Sequence, residues 1–351
     1  MKLIKNISLN DKICDIAVEN GKIVSIGQLD GDGVDFGGAR IFPGLIDIHS
    51  HGCIGFDTME GNLEEMADWE LANGTTTWYP TTMTMSLEDV AAATTRSIDF
   101  GHGASIPGFH MEGPFINAKY KGAQNESYII PPSMDFFNAC KNVKRVTLAP
   151  EIEGSIEFIK ACPAQISIGH TDADYDTCIS AFEAGATTLT HTFNAMPGIH
   201  HRAPGPIGAA SDTDGVFCEV ICDGKHINQA SVRMLYKIMG EDKIILVSDS
   251  IRGAGLGDGN HMFGGQLMIV KDGTARTESG ALAGSTTPLF ECVKTAISFG
   301  IPTSSAIKMA SENPAKLMGL NKGKIEIGYD ADFIIVDDSF NLITAIARGE
   351  F

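Results

Sequence analysis

The stretch "FPGLIDIHSHG" (42–52) sets two histidines, His49 and His51, one residue apart behind an apolar run. "GLIDIH" is short, apolar and isoleucine-rich, so it is expected to form a buried strand. Side chains at i and i+2 share a face in a strand, so both imidazoles project together near its end. Two readings follow: a pair of metal ligands, or one packed histidine beside one at the rim. More imidazoles and carboxylates recur at the ends of later apolar runs. These are His110 and Glu112 in "GFHMEGPF", Glu151 in "LAPE", His170 in "ISIGHT", His191 in "TLTHTF", Asp223 and His226 in "CDGKH", and Asp249 in "LVSDS". Imidazole and carboxylate are typical ligands of zinc and similar cations. Glu112, His170 and His191 form a three-ligand set that leaves a position open for water, the mark of a catalytic metal site. Taken singly, such a Glu can serve a salt bridge, and such a His can be a satisfied core residue; their joint placement favours the metal reading. Asp249 can act as general base and then general acid beside an activated water, or cap a turn.

The loop "HTFNAMPGIHHRAPGPIGAA" (191–210) carries Arg202 with His200 and His201. A guanidinium binds phosphate in a bidentate manner, which makes Arg202 the main candidate for an anionic substrate group. No GxGxxG follows a strand, and no Walker A motif occurs.

Elements must bring these scattered groups together. Eight short apolar runs are expected as strands, at 44–51, 76–82, 106–115, 143–151, 165–171, 187–193, 217–224 and 243–250. Helical patterns separate most of them, among them 62–74, 172–186 and 228–240, each with a polar start and a glycine stop. Eight strand–helix alternations predict an α/β fold, a (β/α)8 TIM-like barrel, in which every strand end converges on one rim. A doubly wound open sheet is the alternative. The segment 258–279 reads as a β-hairpin excursion, and 287–300 and 303–319 return to helix. Both chain ends read as short strands and turns, with "ENGK" a hairpin signal. Residues 1–42 and 322–351 are therefore expected to form one small β-sandwich domain, with the barrel at 43–321 inserted between them.

The chain has 351 residues, 43% of them hydrophobic, and a net charge of −18. That charge argues against nucleic-acid binding and against docking on an anionic membrane. The eight cysteines form no CxxC pair, no run is long enough to span a bilayer, and the opening segment has no signal-peptide core. A cytoplasmic protein is expected.

The motifs "PGLIDIHSHG", "GFHMEGPFIN", "ISIGHT", "THTFNAMPGIHHRAPG", "DGKH", "VSDSIRGAG", "LAGST" and "NPAKLMGL" occur in an order and spacing that resemble the N-acetylglucosamine-6-phosphate deacetylases of the amidohydrolase superfamily. The resemblance runs over nearly the whole chain. It implies a metal-dependent carbon–nitrogen hydrolase that removes acetate from N-acetylglucosamine 6-phosphate in amino-sugar catabolism. By motif match, Glu112, His170 and His191 ligate the main metal, and His49 and His51 with Glu112 bridging form a second site. One or two divalent ions per subunit are implied, zinc first, with Fe, Mn, Co, Ni or Cd as alternatives. Asp249 is implied as general base and acid, and His226 as the group that polarises the amide carbonyl and contacts substrate. Ala123, Gln124, Asn194, Ala195, Leu282, Ala283 and Gly284 would contact the sugar or phosphate. Arg202 would reach the phosphate of a neighbouring subunit in a homodimer. Gln124 stands where some members carry histidine. N-acetylgalactosamine 6-phosphate is the nearest alternative substrate. A cyclic-amide hydrolase is a weaker rival, since no lysine closes a strand, and a binding-only regulator would be expected to have lost part of the ligand set.

Overall fold

A computed structural model describes residues 1–264, 266–278 and 280–350. Eight parallel strands follow one another in a single sheet in chain order: Leu45–Ser50, Thr75–Thr82, Phe109–Glu112, Val143–Leu148, Gln165–Ile168, Ala186–Leu189, Phe217–Ile221 and Ile244–Val247. Every residue of the first two strands is buried, as expected of a parallel sheet covered on both faces. The outer faces supply Val146, Leu148, Ile166, Ile168 and Leu189 to the core shared with the helices. The interior is polar near the site. There Thr147, Ser167 and Thr190 exchange hydroxyl hydrogen bonds at 2.5–2.9 Å, and His110 Nε2 lies 2.8 Å from Thr147 Oγ1.

The eighth strand does not ladder with the first over its length. The barrel closes one or two residues further on. Asp249 N–H donates to His49 O at 2.9 Å, and the N–H groups of His51 and Gly52 donate to Ser250 O at 2.7 and 3.0 Å. The buried Asp47 carboxylate accepts from Ser248 N–H at 3.3 Å across the same seam. Barrel closure and the placement of His49, His51 and Asp249 are thus one structural event.

The helices Leu63–Ala72, Tyr175–Ala184 and Gln229–Met239 fall in the expected segments, capped by Asn62, Asp174 and Asn228 through their side-chain oxygens. The 303–319 segment splits into Thr303–Ala310 and Glu312–Met318. Pro314 has no N–H to offer the Ala310 carbonyl, and Ser311 leaves helical geometry at φ −137°, ψ −70°. The expected hairpin at 258–279 is a three-stranded antiparallel sheet, Gly259–Phe263, Gln266–Lys271 and Thr274–Thr277. Gly265 and Ser279 of that segment, like Phe351, lie outside the described residues.

Strands from both chain ends share one seven-stranded sheet, with Phe333–Val336 pairing antiparallel to Arg40–Pro43. Ile23 of one edge strand and Ile346 of the other lie in the same core as Ile4, Ile16 and Phe333, so the sheet curls over itself. The "ENGK" hairpin has φ +51° at Asn20 and +72° at Gly21, the double positive φ of a two-residue turn. No helix among the described residues is long and apolar enough to cross a membrane.

Several strands end earlier than expected, those at 106–115 and 217–224 at Glu112 and Ile221. Those at 143–151, 165–171, 187–193 and 243–250 end at Leu148, Ile168, Leu189 and Val247. His170, His191 and Asp249 follow with φ of +48°, +27° and +47°, which takes the chain out of extended geometry and turns each side chain inward. Gly169 sits at the pivot before His170, where an added Cβ would meet Thr190 Cβ at 2.6 Å and Thr147 Cγ2 at 2.9 Å. Gly169→Ala is expected to cost about 1–3 kcal/mol of stability by overpacking. Denaturant unfolding measures this, and an unchanged midpoint would contradict the pivot.

Candidate active site

Four imidazoles converge on one carboxylate. His49, His170 and His191 each place Nε2 at 3.2 Å from Glu112 Oε1, and His51 places Nε2 at 3.3 Å from Oε2. Glu112 ends the third barrel strand, and His49 and His51 end the first and point to the same side, as strand parity requires. All five side chains are buried. The opposite ring nitrogen of each histidine is tied down. Nδ1 faces Glu219 Oε2 for His49 at 3.0 Å, Thr81 O for His51 at 3.1 Å, Tyr120 O for His170 at 2.8 Å and Asn194 O for His191 at 3.2 Å. A carbonyl only accepts, so Nδ1 of His51, His170 and His191 donates to it, and Nε2 of each is left facing the centre. An anchor on the outer ring nitrogen fixes the orientation of a histidine ligand and the tautomer it presents.

Two groups have their ligand atoms within 4.8 Å of one another: Glu112, His170 and His191; and His49, His51 and Glu112. The donor set fits a divalent metal. His49 Nε2 is buried without an aligned hydrogen-bond partner, although it lies 3.2 Å from Glu112 Oε1. The His170 and His191 Nε2 atoms lie 3.1 Å apart, a contact that a shared cation satisfies.

Asp249 Oδ1 lies 3.4 Å from His51 Nε2 and 3.5 Å from His49 Nε2, at the edge of both groups. Burial alone would raise its pKa, but the charge of His49 and the hydrogen bond from His51 outweigh burial and hold the carboxyl below its ordinary range. Glu112 is likewise pushed up by burial and then held well below the usual carboxylate range by His49 and His170. Burial opposes charge on the histidines too. Glu112, Asp249 and Glu219 nevertheless lift His49 well above its usual value, and Asp249 and Glu112 lift His51 to about 9. His226 has Nδ1 at 2.8 Å from Asp223 Oδ2, and the backbone N–H groups of Lys225 and His226 hold the other Asp223 oxygen at 2.9 Å.

These groups open on a cavity of about 360 Å³. His51, Glu112, His170, His191, His226 and Asp249 line it, together with Ala123, Gln124, Asn194, Ala195, Leu282, Ala283 and Gly284. His49 lies just behind the wall, fully buried. Gly284, at φ +62°, passes so close that a Cβ would meet Asp249 O at 2.8 Å. Arg202 is exposed and does not line this cavity; its Nη1 contacts His201 Nε2 at 2.9 Å on the outer loop. Glu151 is also absent from the lining and ties the loop after the fifth strand through Thr171 Oγ1 and Asp172 N–H at 2.5 and 2.6 Å.

Residues 40–351 match the amidohydrolase family. An N-acetylglucosamine-6-phosphate deacetylase of Bacillus subtilis (strain 168) is 36% identical over 330 residues, 88% of this chain and 83% of that protein. The chain belongs to the N-acetylglucosamine-6-phosphate deacetylase family of amidohydrolases. An N-acetylgalactosamine-6-phosphate deacetylase of Escherichia coli O157:H7 is 31% identical over 326 residues, 88% of this chain and 86% of that protein. A mutant N-acetyl-D-glucosamine-6-phosphate deacetylase of Mycobacterium smegmatis, solved in complex with N-acetyl-D-glucosamine-6-phosphate, superposes with a TM-score of 0.92 at 27% identity, covering 99% of this chain and 98% of that one. Amidohydrolases typically bind divalent metal, and this member has the His and Glu groups to do so.

Sequence reasoning missed the support beneath this deacetylase-family site. Glu219, in the seventh strand, accepts from His191 N–H at 3.0 Å through the same Oε2 that meets His49, and its Oε1 pairs with the fully buried Arg145 of the fourth strand. A lone Glu inside the apolar run "FCEVIC" was the available signal. Lys119, Tyr120 and Met83 also reach the cavity wall.

The charge pattern predicts how the metal-free protein responds to pH. His51 has a folded value of about 9 against 6.5 unfolded, so its contribution is complete below 6.5 and is lost as pH rises through about 9. Glu112 and Asp249 are depressed, so their contributions hold above the ordinary carboxylate range and fade as pH falls through their lower folded values. In chelator, the melting temperature is expected to fall between pH 7 and 10, and the drop should be smaller in His51→Gln. An identical drop in both proteins would contradict this charge pattern.

Proposed function

We propose that this chain hydrolyses the acetamide of N-acetylglucosamine 6-phosphate, giving glucosamine 6-phosphate and acetate in amino-sugar catabolism. The observation that carries the reading is the placement of Asp249 at the edge of a Glu112-centred ligand cluster on the wall of one cavity. The resemblance to deacetylases of known substrate supports it. Glu112, His170 and His191 would hold the principal ion, zinc in this reading, and His49 and His51 with Glu112 a second. When bound, a divalent cation polarises the carbonyl and makes water more acidic.

The chain's own groups do the rest. Asp249, kept ionised by its histidine neighbours, takes the proton from the attacking water and returns it to the departing amine. His226, with Nδ1 fixed by Asp223, turns its other nitrogen to the carbonyl oxygen and stabilises the charge that develops there. Leu282, Ala283, Gly284, Ala123 and Gln124 line the cavity where the sugar would lie, and Asn194 and Ala195 line it for contact with the sugar or the phosphate. Arg202, exposed on its loop, serves the phosphate in the site of a second copy, which makes the working unit a homodimer. Residues 43–321 form the catalytic domain, with 1–42 and 322–351 as the supporting β-sandwich. Eight free cysteines fit a reducing cytoplasm.

N-acetylgalactosamine 6-phosphate is the second reading, favoured by the similarity to the Escherichia coli enzyme named for it. Acetate release from both sugars by purified protein decides between them; a higher kcat/KM on the galacto sugar would reverse the assignment. Asp249→Asn is expected to lower kcat at least about 100-fold with metal content retained. Full turnover in a folded, metal-loaded variant would remove Asp249 from its role.

A further inference from the structure

We propose that Gln124 is a positioning residue whose side-chain amide fixes the Glu112 carboxylate and thereby sets the metal affinity of the site. The inference rests on the reading above that Glu112 is a metal ligand. Gln124 is only 3% exposed, between the short helical turns Ala118–Tyr120 and Glu126–Tyr128. Its Nε2 donates to Glu112 Oε2 at 2.5 Å, and its Oε1 accepts from Thr84 N–H at 2.7 Å.

The orientation of this amide is dictated by its neighbours. A backbone N–H can only donate and an ionised carboxylate can only accept, so turning the amide over would break both bonds. Thr84 is itself held, since its hydroxyl donates to Glu112 O at 3.4 Å, and an added Cβ on Gly113 would strike that hydroxyl oxygen at 2.1 Å. Gln124 therefore works as a strut from the backbone after the second strand to the carboxylate at the end of the third.

The strut has a geometric consequence. Oε2 is held, so the carboxylate plane cannot rotate, and Oε1 stays 3.2 Å from His49, His170 and His191. Among the described residues, Gln124 is the one hydrogen-bond donor to this carboxylate that is not a histidine. It is also neutral. It fixes the ligand without adding a positive charge that would oppose a bound cation, which a protonated histidine there would do. Contact with the sugar alone would not require both ends of the amide to be occupied by protein groups.

The test measures zinc affinity by chelator competition, and the visible ligand-field spectrum after cobalt loading, for the parent, Gln124→Met and Gln124→Asn. Met keeps the length and removes both hydrogen bonds; Asn keeps the amide but is too short to span Thr84 and Glu112 together. Zinc is expected to bind about 10- to 100-fold more weakly in both variants, with altered cobalt bands. Should Gln124→Met fail to fold by circular dichroism, Gln124→Asn decides on the same readouts. Parent-like zinc affinity and cobalt bands in a folded variant would overturn the positioning role, even if sugar binding were lost. A parent protein that binds neither zinc nor cobalt would instead overturn the metal reading beneath it.

Discussion

The charge on Glu112 organises this molecule. A carboxylate buried in a barrel is costly unless positive charge or hydrogen bonds surround it. Here four imidazole nitrogens and one amide do so within 3.3 Å. Asp249 and Glu219 add two more buried acids next to the same histidines. Arg145 answers Glu219, but no arginine or lysine answers Glu112 or Asp249 among the described ion pairs. Their compensation comes from the imidazoles, through protons in the metal-free chain or a shared cation in the loaded one. That exchange is why metal binding by such a cluster is coupled to proton release.

Much of the support for this charge comes from the backbone. The Nδ1 anchors of His51, His170 and His191 are carbonyls of Thr81, Tyr120 and Asn194, each in or after a different strand. His170, His191 and Asp249 adopt left-handed geometry to reach the centre, at a cost of order 1–3 kcal/mol each. Closure of the barrel fixes the remaining side, because Asp249, His49 and His51 themselves take part in the hydrogen bonds that join the last strand to the first. Fold stability and ligand geometry therefore cannot be varied independently on this rim.

The parity of His49 and His51, the eight-fold alternation and the recurrence of His, Glu and Asp after apolar runs were all legible in the sequence. Each depends on local rules, strand period and strand-end placement, that one sequence displays. What it did not display was non-local. Glu219 and Arg145 lie far apart in the chain, and pairing across the barrel interior cannot be read from either segment. The left-handed turns at His170, His191 and Asp249 shorten strands that propensity would extend, because tertiary demand for the side chain outweighs local preference. Gln124 was legible as a departure from histidine, but its hold on Glu112 became visible only once Thr84 was placed beside it. Arg202 stands outside its own chain's cavity, an expectation that came from the family resemblance and not from the residue types of its loop.

One measurement bears most directly on the role of Glu112. Zinc retained per chain would be determined by elemental analysis after equilibrium dialysis of the parent and of Glu112→Gln, with circular dichroism confirming the fold. Both ligand groups share Glu112, so the expected result is bound zinc in the parent and loss of nearly all of it in the variant. Parent-like zinc in a folded Glu112→Gln protein would contradict a site built around this carboxylate.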